Sequence, residues 1–233
     1  ELFADTLGLS GTLQQYREYE ITNRLTIKME NAGDEPVQIE TLRLVWPGLE
    51  ETPAAEPDYP VFQNTRVDLR VPLGAAVCSS PPAFAEPVPD IPIAGVAMTP
   101  DGEITFPVTD PLEILQRIYP RECKRQAVQA AVTITLGDEW IDRSVDPVEM
   151  VGTLTLERNG STEPITVADV HGSVVVSTAI EDTPVVLGAD EEALDIPVIA
   201  SQNRCDSHAK AEAKQPFLFT LDLRIGDVEV GYL

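Results

Sequence analysis

One stretch is written twice in this chain, and nothing else constrains its fold as tightly. The first copy runs from Leu25 to Val37 (LTIKMENAGDEPV) and the second from Leu154 to Ile165 (LTLERNGSTEPI). Each reads as a strand, a polar turn, a Glu-Pro step and a new strand, which is a hairpin pattern. The spacing recurs. Glu163 follows Glu35 by 163 − 35 = 128 residues, and Asp195-Ile196-Pro197-Val198 echoes Asp68-Leu69-Arg70-Val71-Pro72 at 195 − 68 = 127. Cys205 follows Cys78 by 205 − 78 = 127. Three features at nearly one offset point to an internal duplication rather than to two unrelated β domains sharing common turn residues.

A period near 128 divides the 233 residues into two units of ordinary domain size, each long enough to bury a core. Within the first, Ile21, Leu25, Ile27 and Met29 alternate as inward positions, as do Val67, Leu69 and Val71. Leu2, Phe3, Leu7, Leu9 and Leu13 suit an edge strand or a lead-in. Pro53, Pro57 and Pro60 oppose regular pairing, so residues 50–60 read as a loop. Ile93 to Met98 and Ile104 to Val108 flank Pro100-Asp101-Gly102 as a hairpin. Asp110-Pro111-Leu112-Glu113 then resembles a helix start, with Asp110 as cap, Pro111 first and Glu113 closing a capping box. Pro120 ends or kinks that helix. In the second unit Val128, Ala130, Val132, Ile134 and Leu136 alternate, Ile165 to Thr178 continues the repeated hairpin, and Phe217, Phe219, Leu221 and Leu223 form the strongest alternation. The expectation is an all-β chain of two tandem immunoglobulin/fibronectin-like β-sandwich domains, 1–109 and 126–233, joined by a short helical linker over 110–125.

Charge narrows the partners. With 39 acidic against 16 basic residues the net charge is −23, which disfavours a phosphate backbone and an anionic membrane surface. No run approaches a membrane span. The chain shows no basic and apolar leader, although a leader already removed would leave the same sequence. Its 20 prolines, acidic surface and short strands suit an extracytoplasmic protein, where a disulfide persists. Of the three cysteines, Cys78–Cys123 is favoured over Cys123–Cys205. If the strand before Cys78 runs parallel to the last strand of its unit, Cys78 faces the linker that carries Cys123; a shift in strand parity favours the other pair.

Few residues suggest chemistry. Asp206, His208 and Glu212 offer metal-ligand types, with His208 and Glu212 at i and i+4, but a polar loop before the last hairpin is the favoured reading, because no motif supplies further ligands. The acidic loops Glu50–Asp58 and Asp182–Asp195 lack a DxDxDG-like calcium pattern. Trp46, Trp140, Tyr16, Tyr19 and Tyr59 suit sugar stacking, or ordinary packing. Cys205 and His208 lie too close in sequence for a catalytic pair, Ser173 lacks a GxSxG elbow, and no glycine-rich phosphate loop is present. No cofactor is implied, and neither calcium nor a transition metal has a supporting motif.

Glu35-Pro36-Val37, Thr153 to Arg158, His171-Gly172-Ser173 and Arg204 to Ala209 resemble segments of uncharacterised secreted or lipid-anchored β-sandwich proteins of high-GC Gram-positive bacteria. The resemblance covers about a third of the chain. It implies export, with attachment through a lipidated N-terminus as one form, and supplies no catalytic residues. The expected function is an extracytoplasmic binding or scaffolding protein without an enzymatic site, acting on a protein or cell-envelope component. The alternative is a small-ligand, glycan or metal-binding accessory protein.

Overall fold

Leu25, Ile27 and Met29 form a strand because every second side chain leaves water for one interior. All three are fully buried in the computed structural model, which describes residues 7–16, 22–80, 82–145, 148–213 and 217–232. The chain is predominantly β. It divides into two compact units, one made of Glu1–Ser80 with Ala85–Cys123 and the other of Pro81–Phe84 with Lys124–Leu233.

The first unit contains β1 (Leu9–Gln14), β2 (Arg24–Asn31), β3 (Val37–Ile39), β4 (Thr41–Val45), β5 (Tyr59–Val61), β6 (Arg66–Pro72), β7 (Ile93–Thr99) and β8 (Gly102–Thr109). Six of them form one sheet in the order β4-β7-β8-β1-β2-β6, and β3 pairs with β5. β1 is not an edge strand. It pairs antiparallel with β2 and parallel with β8, burying Leu9 and Leu13. Gly11 permits that fit, since a Cβ there would stand 2.8 Å from the Ile27 side chain and 3.0 Å from that of Val108. Leu2, Phe3, Tyr19 and Ile21 lie outside the described residues. The proline-rich stretch before Val61 is mostly loop, but Tyr59–Val61 pairs with β3 despite Pro60; a terminal strand tolerates a proline because one side needs no donor.

The second unit contains β9 (Val132–Leu136), β10 (Ile141–Val145), β11 (Val148–Arg158), β12 (Ile165–His171), β13 (Val176–Ala179), β14 (Val185–Leu187), β15 (Ala193–Gln202), β16 (Thr220–Ile225) and β17 (Val228–Tyr232). One sheet runs β10-β11-β15-β13 with β9 also on β11, and the other runs β14-β12-β16-β17. Leu154, Leu156, Ile196 and Val198 from the first sheet meet Ile165, Val167, Leu221 and Leu223 from the second in one apolar interior. Phe219 packs against that core from the residue before β16, whereas Phe217 is exposed.

The repeated stretch is not a hairpin in either unit. β2 pairs with β1 and β6, and β3 pairs with β5. Likewise β11 pairs within one sheet and β12 within the other. The Glu-Pro step carries the chain from one layer to the next, so that both arms bury alternate side chains in the same core. For the same reason residues 165–178 do not form one strand: β12 and β13 belong to different sheets.

Several ladders of the first unit have counterparts in the second, although the first unit also joins β8 to β1. β2 meets β6 with Ile27 opposite Leu69, and β11 meets β15 with Leu154 opposite Ile196. β1 flanks β2 with Leu13 opposite Ile27, and β9 flanks β11 with Leu136 opposite Leu154. The closing hairpins β7–β8 and β16–β17 end in the pairs Thr99–Gly102 and Ile225–Val228.

The expected helical linker over 110–125 is displaced and longer. α1 spans Ile114–Ala131 and runs through Pro120. Both carboxylate oxygens of Asp110 accept from main-chain N–H groups, of Ile114 at 2.9 Å and Leu115 at 2.8 Å. Asp110 therefore caps across an intervening turn in which Glu113 has φ +52°, so neither Pro111 nor Glu113 takes its expected place. Val128 and Ala130 are helical rather than extended, because the Gln-Ala-rich run from Lys124 favours a helix over a strand. Ile114, Leu115, Ile118, Tyr119 and Cys123 join the core of the first unit, and Val128 and Ala131 that of the second.

Candidate functional site

The four-stranded sheet of the second unit turns one face to its core and leaves the other outward. The register places the outward side chains in rows. Thr166, itself buried, lies opposite Arg224, which lies opposite Glu229. In the next row Asp169 lies opposite Asp222, which lies opposite Gly231. A register shift between Val167 and Asp169 marks a β-bulge at Ala168, a device that re-aims neighbouring side chains. Thr183 and Pro184 wall this surface into a groove of about 540 Å³ that includes Thr166, Asp222, Arg224 and Glu229.

His171 ends β12 beside this groove. Its Nε2 lies 2.8 Å from Asp222 Oδ2 and its Nδ1 3.9 Å from Asp169 Oδ2. The hydrogen bond to Asp222, helped by the negative charges of Asp222 and Asp169, holds the imidazole pKa above its ordinary value. The pair orients the Asp222 carboxylate and favours an imidazolium there. Sequence reasoning missed the His171–Asp222 pair, since the two are 51 residues apart and meet only through the β12–β16 register.

A second kind of concavity lies at the end of each unit, where the Glu-Pro step meets the closing hairpin. In the first unit Gly33, Asp34, Glu35, Pro100 and Asp101 line about 450 Å³ beside Leu7. In the second, Gly160, Ser161, Glu163, Gly226 and Asp227 line about 470 Å³ beside Phe84. Both are loop-lined on a rigid sheet scaffold, the usual place for recognition.

Of the metal candidates, Asp206 has another role. Asp206 caps α2 (Ser207–Glu212), accepting from the Ala209 N–H at 3.0 Å, and pairs with Arg204 at 3.2 Å. The Ala209 hydrogen bond leads the effects that lower its pKa, with the Arg204 charge adding to it. His208 is exposed, and the side chain of Glu212 lies outside those described. Among the described residues no three His, Cys, Asp or Glu side chains are placed to share a metal ion, which includes the acidic loops Glu50–Asp58 and Asp182–Asp195. Cys78 and Cys123 are joined in a disulfide, and Cys205 is a half-buried free thiol.

The aromatic candidates are scattered. Trp46 is buried edge-to-face against Tyr119, with ring centroids 5.5 Å apart. Trp140 lies over Gly152, where a Cβ would come within 2.7 Å of its ring. Tyr16 donates to Asp68 Oδ2 at 2.8 Å, Tyr59 is exposed in β5, and Tyr19 lies outside the described residues. The described ones form no shared platform.

No protein-family model matches the chain, and no curated protein matches it. No helix among the described residues is long and apolar enough to cross a membrane.

Proposed function

We propose that this chain is an extracytoplasmic binding or scaffolding protein of two immunoglobulin-like β-sandwich units related by internal duplication. The loop-lined concavity repeated at corresponding ends of the two units carries this reading. The order β1-β2-β6 in the first unit and β9-β11-β15 in the second supports the duplication. Within the six-stranded sheet the runs β1-β2-β6 and β4-β7-β8, joined by the β8–β1 pairing, each match the strand order of one immunoglobulin-like sheet, an argument from fold alone. The Cys78–Cys123 bridge favours an oxidising compartment. A net charge of −23 favours a protein or cell-envelope partner over a nucleic acid.

The test is retention of the purified chain on washed envelope fragments of its source cell. Retention is expected, with weaker retention after Asp34→Ala combined with Asp101→Ala. Full recovery in the supernatant, or retention indifferent to the loop-end substitutions, counts against the reading.

A further inference from the structure

We propose that the groove on the outward face of β12, β16 and β17 binds a neutral carbohydrate. The inference rests on the binding-protein reading above but uses a different surface from the loop ends. Its lining combines acceptors, donors and a smooth apolar strip. Asp222 and Glu229 offer carboxylate oxygens, Arg224 offers guanidinium N–H groups, and Thr183 offers a hydroxyl. Ala168, Pro184 and Gly231 add surfaces without bulky side chains. A Cβ at Gly231 would meet nothing within 4 Å, so the groove is open at that position.

The charges disfavour a simple cation and a simple anion. Arg224 forms no ion pair with any described residue, although Glu229 is its cross-strand neighbour. Its donors are therefore available to a ligand. A simple cation would have to settle beside that guanidinium. An anion would face Asp222 and Glu229 on a chain of net charge −23. A neutral sugar satisfies both kinds of group, because each hydroxyl donates to a carboxylate or accepts from Arg224 while the C–H faces lie on Pro184 and Gly231. His171 is a positioning residue, holding Asp222 Oδ2 at 2.8 Å.

Saturation-transfer difference NMR on the full chain tests this, with methyl α-mannoside, methyl β-glucoside, N-acetylglucosamine and cellobiose as neutral probes. Glucuronate and putrescine serve as the charged counterparts. At least one neutral sugar should give a signal, and amide shifts on the parent protein should map to Asp222, Arg224, Glu229 and Gly231. Gly231→Leu, which fills open space without strain, and Arg224→Ala should each weaken binding by about tenfold or more. Asp34→Ala with Asp101→Ala should leave it unchanged. Silence from every neutral sugar, binding of glucuronate or putrescine alone, or amide shifts elsewhere would overturn the proposal, and the shift map needs no variant to fold. Envelope retention that survives Gly231→Leu while sugar binding is absent would remove the groove and leave the loop-end reading standing.

Discussion

Asn31 and Arg158 hold corresponding pairs of main-chain carbonyls in the two units. Asn31 Nδ2 donates to Glu35 O at 2.8 Å and to Val61 O at 2.9 Å. The Arg158 guanidinium donates to Glu163 O at 2.8 Å and to Leu187 O at 3.4 Å. In each unit one carbonyl belongs to the Glu of the Glu-Pro step. The other belongs to the residue opposite the first position of the next strand, as Val61 faces Val37 and Leu187 faces Ile165. A short amide and a long guanidinium thus brace the same crossing between layers. Asn31→Ala should cost about 2–4 kcal/mol, since Asn31 is fully buried and both acceptors lose their donor. Arg158→Met, in a half-exposed site, should cost about 1–2 kcal/mol. Urea unfolding of the two variants checks the order; an equal or inverted cost would show that burial does not set it.

Thr26 is 1% exposed in the middle of β2, and its hydroxyl has no partner among the described residues. Thr26→Val keeps the shape and removes the stranded polar atom. It should stabilise the chain by up to about 1 kcal/mol in urea unfolding, whereas Thr26→Ser, which keeps the hydroxyl and loses a methyl, should destabilise it. A loss of stability in the valine variant would reveal a partner for the hydroxyl.

The Cys78–Cys123 bridge spans a sequence separation of 45 residues, for which loop closure alone predicts about 4 kcal/mol of stabilisation. Alkylation of the unreduced protein, followed by peptide mass analysis, should label Cys205 and spare the other two. Reduction should lower the melting temperature of the first unit, and Cys205→Ser should not. Labelling of all three cysteines without reductant would contradict the pairing.

The His171–Asp222 pair gives stability a defined pH dependence. The imidazole pKa is raised in the folded chain, so folding favours the protonated form. The contribution is complete below the unfolded value of about 6.5 and is lost as pH rises through the higher folded value. His171→Ala should therefore lower the melting temperature at about pH 5.5 and have little effect at about pH 9. The effect should stay under about 1 kcal/mol because both side chains are about half exposed. A deficit that grows toward high pH would have the wrong sign.

The strands were legible in the sequence because period-2 alternation reports directly on a half-buried sheet: β2, β6, β11 and β15 all lie where large aliphatic side chains alternate. Their pairing was less legible. The Glu-Pro step looked like a hairpin because a turn between two alternating runs carries the same local signature whether the runs pair or pack face to face. Val128 and Ala130 continue the alternation of Val132 and Ile134, and only helix propensity separates the end of α1 from the start of β9. The groove over β12, β16 and β17 was illegible, because its rows depend on a bulge at Ala168 and on partners about fifty residues apart. The short range of Arg204 to Glu212 drew attention to metal-ligand types, yet Asp206 serves the main chain of α2.

The cystine also alters what a cut in the chain can do. Cys78 and Cys123 close a covalent ring that contains the proline-rich connector, β7, β8 and the opening turns of α1. Proteolysis anywhere inside that ring opens it without dividing the molecule. A protein nicked among the prolines between 81 and 92 would migrate as one species until thiol was added and only then fall into two fragments.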